Sequence, residues 1–301
     1  MNTPAVTVII PTYNDTARLS LCLDALSQQT YPQTKFEVWV VDNNSSQPCD
    51  KLVSQYAFAR YLHEAHPGSY SARNLALKQV GLGEIIAFTD SDCIPDKEWL
   101  SAAIKALEND SEKLGAIGGC IDMYAASDSP SLAELYDMVT GFEQADYIRK
   151  ENFSVTANLV TRLSVIEAVG EFNANLKSSG DKDWCQRMVK AGFALAYCES
   201  ARVVHPARQS VSSIKTKLRR LYGGFYYNHR NVKSDKLFSF VGLFEALMPP
   251  LDKIRQLRKT KLSISATRKL QLVAFFYYLK FYTLTYRLKL LSGFEKNVER
   301  L

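Results

Sequence analysis

Through the first 108 residues, short apolar runs rich in β-branched side chains alternate with amphipathic stretches, which leaves few architectures open. Ala5 to Ile10 reads as a strand and Ala17 to Gln28 as a helix, because Leu19, Leu23 and Leu26 share one face at helical spacing. Phe36 to Val41 and Arg60 to His63 read as further strands, with a short helix over Leu52 to Phe58 between them. A helix over Ser71 to Val80, a strand over Glu84 to Thr89 and a helix from about Lys97 to Glu108 complete the series. Such a series predicts a parallel sheet covered on both faces, with ligands bound beyond the carboxyl ends of its strands.

The remainder is mixed. Gly115 to Tyr124 and Ser154 to Thr161 read as strands, Leu132 to Ile148 and Asp181 to Phe193 as helices, and Phe193 to Pro206 as two short strands. After Ser210 the pattern turns helical and basic. With 301 residues, 47% of them hydrophobic, the chain can bury one large domain, or one domain with an appendage. Six cysteines without a CxxC pair read as buried thiols of a reducing compartment. The opening segment lacks the basic and long apolar regions of a secretory leader, so a cytoplasmic location is expected. Net charge is +6, yet residues 251–301 carry 12 Lys and Arg against 3 Asp and Glu, while residues 1–250 carry 25 against 28. Basicity confined to a tail argues against a nucleic-acid partner and for contact with an anionic surface.

Three predicted strands end in polar residues: Pro11-Thr12-Tyr13-Asn14-Asp15, Asp42-Asn43-Asn44-Ser45-Ser46 and Asp90-Ser91-Asp92. In a parallel sheet these tips share one edge. If the Asp90 segment is extended, its two carboxylates point the same way with Cα atoms roughly 6 to 7 Å apart. Oxygen ligands so placed suit a hard divalent cation, Mg²⁺ or Mn²⁺, with coordination positions left for phosphates. A turn that caps the following helix is the alternative use of the same residues.

The segments VTVIIPTYND, WVVDNNSS, GSYSARNLAL, IIAFTDSDC and SGDKDWCQRMVKAGF, in this order, resemble the family 2 glycosyltransferases, inverting enzymes of the GT-A fold. The resemblance spans roughly residues 5 to 232. It implies an α/β catalytic domain over 1–232, with a nucleotide half of about 1–125 and an acceptor half of about 126–232, followed by a helical extension over 233–301. It further implies that Pro11, Thr12 and Tyr13 line the base pocket and that Asp42 reads a uracil-like edge. By the same resemblance Arg73 and Asn74 approach the diphosphate or ribose, Asp90 and Ser91 lie toward the ribose, and Asp92 binds the metal. His205 takes a place where related enzymes often carry a histidine near the metal or diphosphate, and Asn158 matches an acceptor-side segment. The implied partners are a nucleotide-sugar donor, with UDP or dTDP ahead of GDP, and a glycan or lipid-linked acceptor of cell-surface polysaccharide or glycolipid assembly.

Displacement at an anomeric carbon needs a base opposite the leaving group. Asp181 and Asp183 open one predicted helix. The family pattern matches Asp181 to the base and puts Gly180 where a glutamate is usual, which keeps Asp183 in contention. Trp184 is a candidate platform for the acceptor sugar, or a core residue. A sugar nucleotidyltransferase would carry a glycine-rich phosphate loop after its first strand, which PTYNDTAR lacks; a catalytically silent nucleotide-binding protein is the remaining alternative. In the tail, Tyr277, Tyr278, Tyr282 and Tyr286 among Lys and Arg suit either a helix at a membrane interface, on the cytoplasmic face of the inner membrane, or one packed on the catalytic domain.

Overall fold

The structure, a computed structural model, describes residues 4–108, 113–229 and 238–294. The strands are β1 (Val6–Thr12), β2 (Phe36–Asp42), β3 (Ala59–His63), β4 (Ile85–Thr89), β5 (Ile94–Pro95), β6 (Leu114–Tyr124), β7 (Asn158–Arg162) and β8 (Ala194–Pro206). They form one sheet in the order β3-β2-β1-β4-β7-β6-β8-β5. β3, β2, β1 and β4 are parallel, as expected, but β7 runs antiparallel between β4 and β6, and β5 antiparallel to β8. The sheet is therefore mixed.

Helices α1 (Thr16–Ser27), α2 (Asp50–Val53), α3 (Ser69–Leu77) and α4 (Trp99–Glu108) connect the first strands. Then come α5 (Leu132–Thr140), α6 (Gln144–Glu151), α7 (Leu163–Val169) and α8 (Gly180–Lys190). Alternation along β1 explains the two-sided burial. Val6, Val8 and Ile10 pack with Leu19, Leu23 and Leu26 of α1 and with Trp99 and Leu100 of α4. Ile9 faces the other way, toward Ala72 and Ala76 of α3 and Trp184 and Met188 of α8.

Three local expectations change. The predicted helix over 132–148 breaks where Gly141 leaves helical geometry at ψ −141°, giving α5 and α6. Phe193 to Pro206 is one strand, not two, because β8 keeps pairing with β6 across a bulge between Cys198 and Arg202. The helix expected over Leu52 to Phe58 is only the single turn of α2.

The C-terminal helices are α9 (Val211–His229), α10 (Phe240–Glu245), α11 (Leu251–Lys259) and α12 (Ala266–Leu291), and a third core joins α5 to α9, α11 and α12. Tyr136 and Val139 of α5, Ile214 of α9, Leu257 of α11 and Leu272, Phe275, Phe276 and Leu279 of α12 are buried together. The C-terminal helices thus pack on α5. The boundary expected at 232/233 lies outside the described residues.

Asn158 and Trp184, expected at the acceptor, are instead interior residues with 0% exposure. Asn158 accepts from the Trp99 indole N–H at 2.9 Å and donates to the carbonyls of Cys120 and Ala201, each at 2.9 Å. It thereby joins β7 to α4, β6 and β8. Trp184 donates to the Gly170 carbonyl at 2.9 Å and packs on Phe172. Asn158→Ala should lower the unfolding free energy by about 3 kcal/mol, since it strands a buried indole N–H and two carbonyls; the urea midpoint reads this directly.

Candidate functional site

The parallel register sets Thr12 opposite Asp42 and Asp42 opposite His63, so the first three tips end level. Side chains then lace them together. Asn14 takes its N–H to Ser45 Oγ at 2.8 Å, and its Oδ1 accepts from the Ser46 N–H at 2.8 Å. Asn43 donates to the carbonyls of Glu64 and His66 and accepts from the Gly68 N–H at 2.6 Å, which carries the lacing to the start of α3. Asn14 and Asn44 have φ of 52° and 66°, a region that asparagine tolerates better than most residues. Pro11 and Thr12 are buried, whereas Tyr13 is 51% exposed and presents its ring at the rim. Asp42 is buried and accepts from the N–H groups of Ser45 and Cys49 and from the Tyr61 hydroxyl. Its first observable duty is to shape this rim.

Asp90, Ser91 and Asp92 are not extended. The Cys93 N–H donates to the Asp90 carbonyl at 3.1 Å and closes a turn, so the carboxylates diverge to separate partners. Asp90 meets Arg73 Nη2 at 2.5 Å. Ser91 is buried between them. Arg73, expected at the open diphosphate site, is 1% exposed, and its Nε has no hydrogen-bond partner. Asn74 is likewise committed inward: its amide donates to the Phe172 carbonyl at 2.7 Å and accepts that residue's N–H at 3.1 Å.

Asp92 is reached from two sides. Arg18 Nη1 lies 3.5 Å from its Oδ2 and also contacts Asp15 at 3.2 Å. Burial pushes the Asp15 carboxyl up, against the pull of Arg18. Opposite, the pairing of Ile94 with Val204 carries His205 alongside Cys93, and His205 Nε2 comes within 3.4 Å of Asp92 Oδ2. Nδ1 lies 2.8 Å from the Pro206 carbonyl, which can only accept, so this nitrogen bears the proton. In the neutral ring Nε2 offers a lone pair beside a carboxylate oxygen, an arrangement that fits a cation between them. Among the described residues no group of three or more His, Cys, Asp or Glu converges on one point, so this pair could supply two ligands and leave the others to a phosphate-bearing substrate.

Asp181 stands at the first turn of α8, after Ser179, which is held at φ 62°. It accepts from the Tyr70 hydroxyl at 3.3 Å and the Lys182 N–H at 2.9 Å. Burial raises its pKa above the usual carboxylate value, while the Lys182 N–H, Arg73 and the Tyr70 hydroxyl lower it. Asp183 is turned to other work: it pairs with Arg187 at 3.0 Å, and Arg187 also donates to the carbonyls of Val169 and Glu171. Asp181 is within electrostatic reach of Arg73 and Asp90.

Sequence reading missed Tyr70, Arg18 and Arg220. Arg220 of α9 is a largely buried cation whose Nε has no hydrogen-bond partner, with Tyr70, Asp90 and Asp181 in its field. Tyr70 and Arg18 are visible in the sequence only as neighbours of the motifs. Arg220 lies 39 residues beyond Asp181 and 130 beyond Asp90, in a stretch that reads as tail.

Residues 7–164, just over half of the chain, match the family described as Glycosyl transferase family 2. The chain is 35% identical over 221 residues to the glycosyltransferase AglE of Haloferax volcanii, covering 72% of this chain and 71% of that one. It is 28% identical over 238 residues to the pre-mycofactocin glycosyltransferase of Mycobacterium tuberculosis, but spans only 46% of that longer protein. Its fold matches the mannosyltransferase PcManGT from Pyrobaculum calidifontis, solved in complex with GDP-Man and Mn²⁺, with a TM-score of 0.64 over 98% of this chain and 89% of that one, at 20% identity. Fold, ordered strand-tip motifs and these matches agree: the chain belongs to glycosyltransferase family 2 and is a sugar transferase built on the GT-A fold.

Proposed function

We propose that the chain moves a sugar, with inversion, from a nucleoside-diphosphate donor to a hydroxyl of a glycan or lipid-linked acceptor in cell-surface polymer assembly, using Mn²⁺ or Mg²⁺. The observation that carries this reading is the layout of charge. A half-buried acid, Asp181, and a cation-ready pair, Asp92 with His205, flank the buried Arg73–Asp90 ion pair. A divalent cation held by Asp92 and His205 would carry the charge that builds on the terminal phosphate as the diphosphate departs. Arg73 and Arg220 each offer a buried Nε–H without a partner for the phosphate oxygens, and their charge does not depend on pH in the working range.

Tyr13 is the ring available for stacking on the base. A uracil or thymine N3–H suits the acceptor Asp42, which is the support for UDP or dTDP ahead of GDP. Asp181 takes the proton of the acceptor hydroxyl. The new bond from that oxygen to the anomeric carbon forms as the bond to the phosphate oxygen breaks. Five of the six thiols, Cys22, Cys49, Cys93, Cys120 and Cys185, are pushed up by burial and are unsuited to act as a covalent nucleophile. Their inertness supports a single displacement.

Along α12, Leu270, Ala274, Tyr277, Phe281 and Leu288 are exposed at helical spacing, so the side facing away from the third core is also apolar. Phe244, Leu247 and Met248, just before α11, are at least 50% exposed as well, and Lys280 bonds the Met248 carbonyl. No described helix is long and apolar enough to cross a membrane. An apolar face in a strongly basic segment suits peripheral contact with an anionic, cytoplasm-facing leaflet.

In the presence of Mn²⁺, Asp92→Ala should weaken donor binding by about tenfold or more and abolish its dependence on the metal; calorimetric titration with UDP-, dTDP- and GDP-sugars tests this and the base preference together. Asp181→Asn should keep donor binding and lose about 10²- to 10⁴-fold in kcat. An undiminished rate would transfer the base to Asp183. The intact chain should float with anionic vesicles, and Tyr277→Glu with Phe281→Glu should release it; failure of the intact chain to float removes the membrane reading.

A further inference from the structure

The backbone that delivers Asp181 leans on one aromatic ring. An added Cβ at Gly180 would sit 2.6 Å from Tyr70 Cε2 and 2.8 Å from Cδ2 and Cζ, inside any tolerable contact. Gly180 has no left-handed φ, so it is the ring that excludes a side chain there. The Tyr70 hydroxyl accepts the Gly180 N–H at 2.9 Å and donates to Asp181 Oδ1 at 3.3 Å. One phenol oxygen thus bridges a first-turn N–H of α8 and the carboxylate of the next residue.

The ring itself is fixed. It stacks on Phe172 at 5.8 Å and 25°, and Phe172 meets Phe88 edge-on at 5.2 Å and Trp184 at 5.7 Å. From the far side, the Asn228 amide donates to the Ser178 carbonyl, and Gly224 allows α9 to press on Ser178. Burial keeps the phenol protonated well beyond the neutral range, so it remains a donor.

We propose that Tyr70 is the positioning residue for the Asp181 carboxylate, and that Gly180 is glycine to admit its ring. This rests on the reading of Asp181 as the base. A carboxylate with one oxygen tied to Tyr70 can turn the other toward the acceptor hydroxyl without a rotamer search. The groups facing Asp181 are Tyr70 and Arg73 of α3, Asp90 at the β4 tip, Arg220 of α9, Tyr147 of α6, and Cys185 and the Lys182 N–H of its own helix. Among these, the Tyr70 hydroxyl is a lowering influence that one atom's deletion removes. Without it the carboxylate protonates at higher pH. The acid limb of kcat then moves up, and activity is lost first on the acid side.

The test uses the full chain with a donor and acceptor it turns over. Tyr70→Phe keeps the ring and its packing. It should lower kcat about tenfold, leave the donor KM unchanged and shift the acid limb to higher pH. Gly180→Ala displaces the same ring, so adding Tyr70→Phe to it should cost little more. A kcat and acid limb like the parent's would overturn the proposal. So would a fall in kcat with an unmoved limb and a lowered Tm, which marks a merely structural hydroxyl, or full additivity of the two substitutions. Undiminished activity of Asp181→Asn would instead overturn the assignment of the base beneath it.

Discussion

A guanidinium buried to within 1% of full occlusion cannot shed its charge, and much of this molecule is arranged around that fact at Arg73. Asp90 supplies the counter-charge, which pins the end of β4 to α3. Removing Asp90 from this pair costs about 3 to 5 kcal/mol, because Arg73 is left charged and buried. The same short helix reaches two further elements: Tyr70 holds the start of α8, and Asn74 clasps the backbone of Phe172. Three parts of the site therefore take their relative places from nine residues.

From that anchor the charges sort themselves by distance from the sheet. Asp90 is consumed by the ion pair, which frees Asp92, two residues on and beyond the turn, to face His205 and Arg18. Arg18 partly neutralises Asp92 from an exposed position, with Asp15 as its other partner. A long, exposed arginine can swing away at small cost when a stronger cation arrives. Asp181 is carried by α8, whose N-terminus Tyr70 of the same α3 holds. Asp92 with His205, proposed to hold the leaving group, and Asp181, proposed to take the proton, are thus mounted on separate elements.

Much of this was legible in the sequence where local pattern and tertiary role coincide. The β1, β2 and β4 runs read as strands because both of their faces are buried, and their polar tips did prove to share one edge. Legibility ended where a residue's partner lies far along the chain. Asn158, matched to an acceptor-side segment, is instead buried where β7 threads between β4 and β6, an insertion that no local periodicity announces. Trp184 followed an acidic pair, yet helical geometry turns it inward while Asp181 faces the cleft. Asp90 and Asp92 were taken as same-facing, and one hydrogen bond from Cys93 set them apart. Arg220 was concealed by the basic character of its surroundings.

The lacing of the strand tips has an energetic meaning of its own. Asn14 with Ser45 and Ser46, and Asn43 with Glu64, His66 and Gly68, join three separate turns. The conformational entropy of this rim is surrendered when the chain folds, not when a nucleotide binds. On the proposed reading a nucleotide meets a finished mould at this rim, and the heat capacity of its association should reflect the surface it covers rather than the ordering of loops. Selection among bases then becomes a matter of fit to a rigid contour, and a change of donor would require recasting several turns at once.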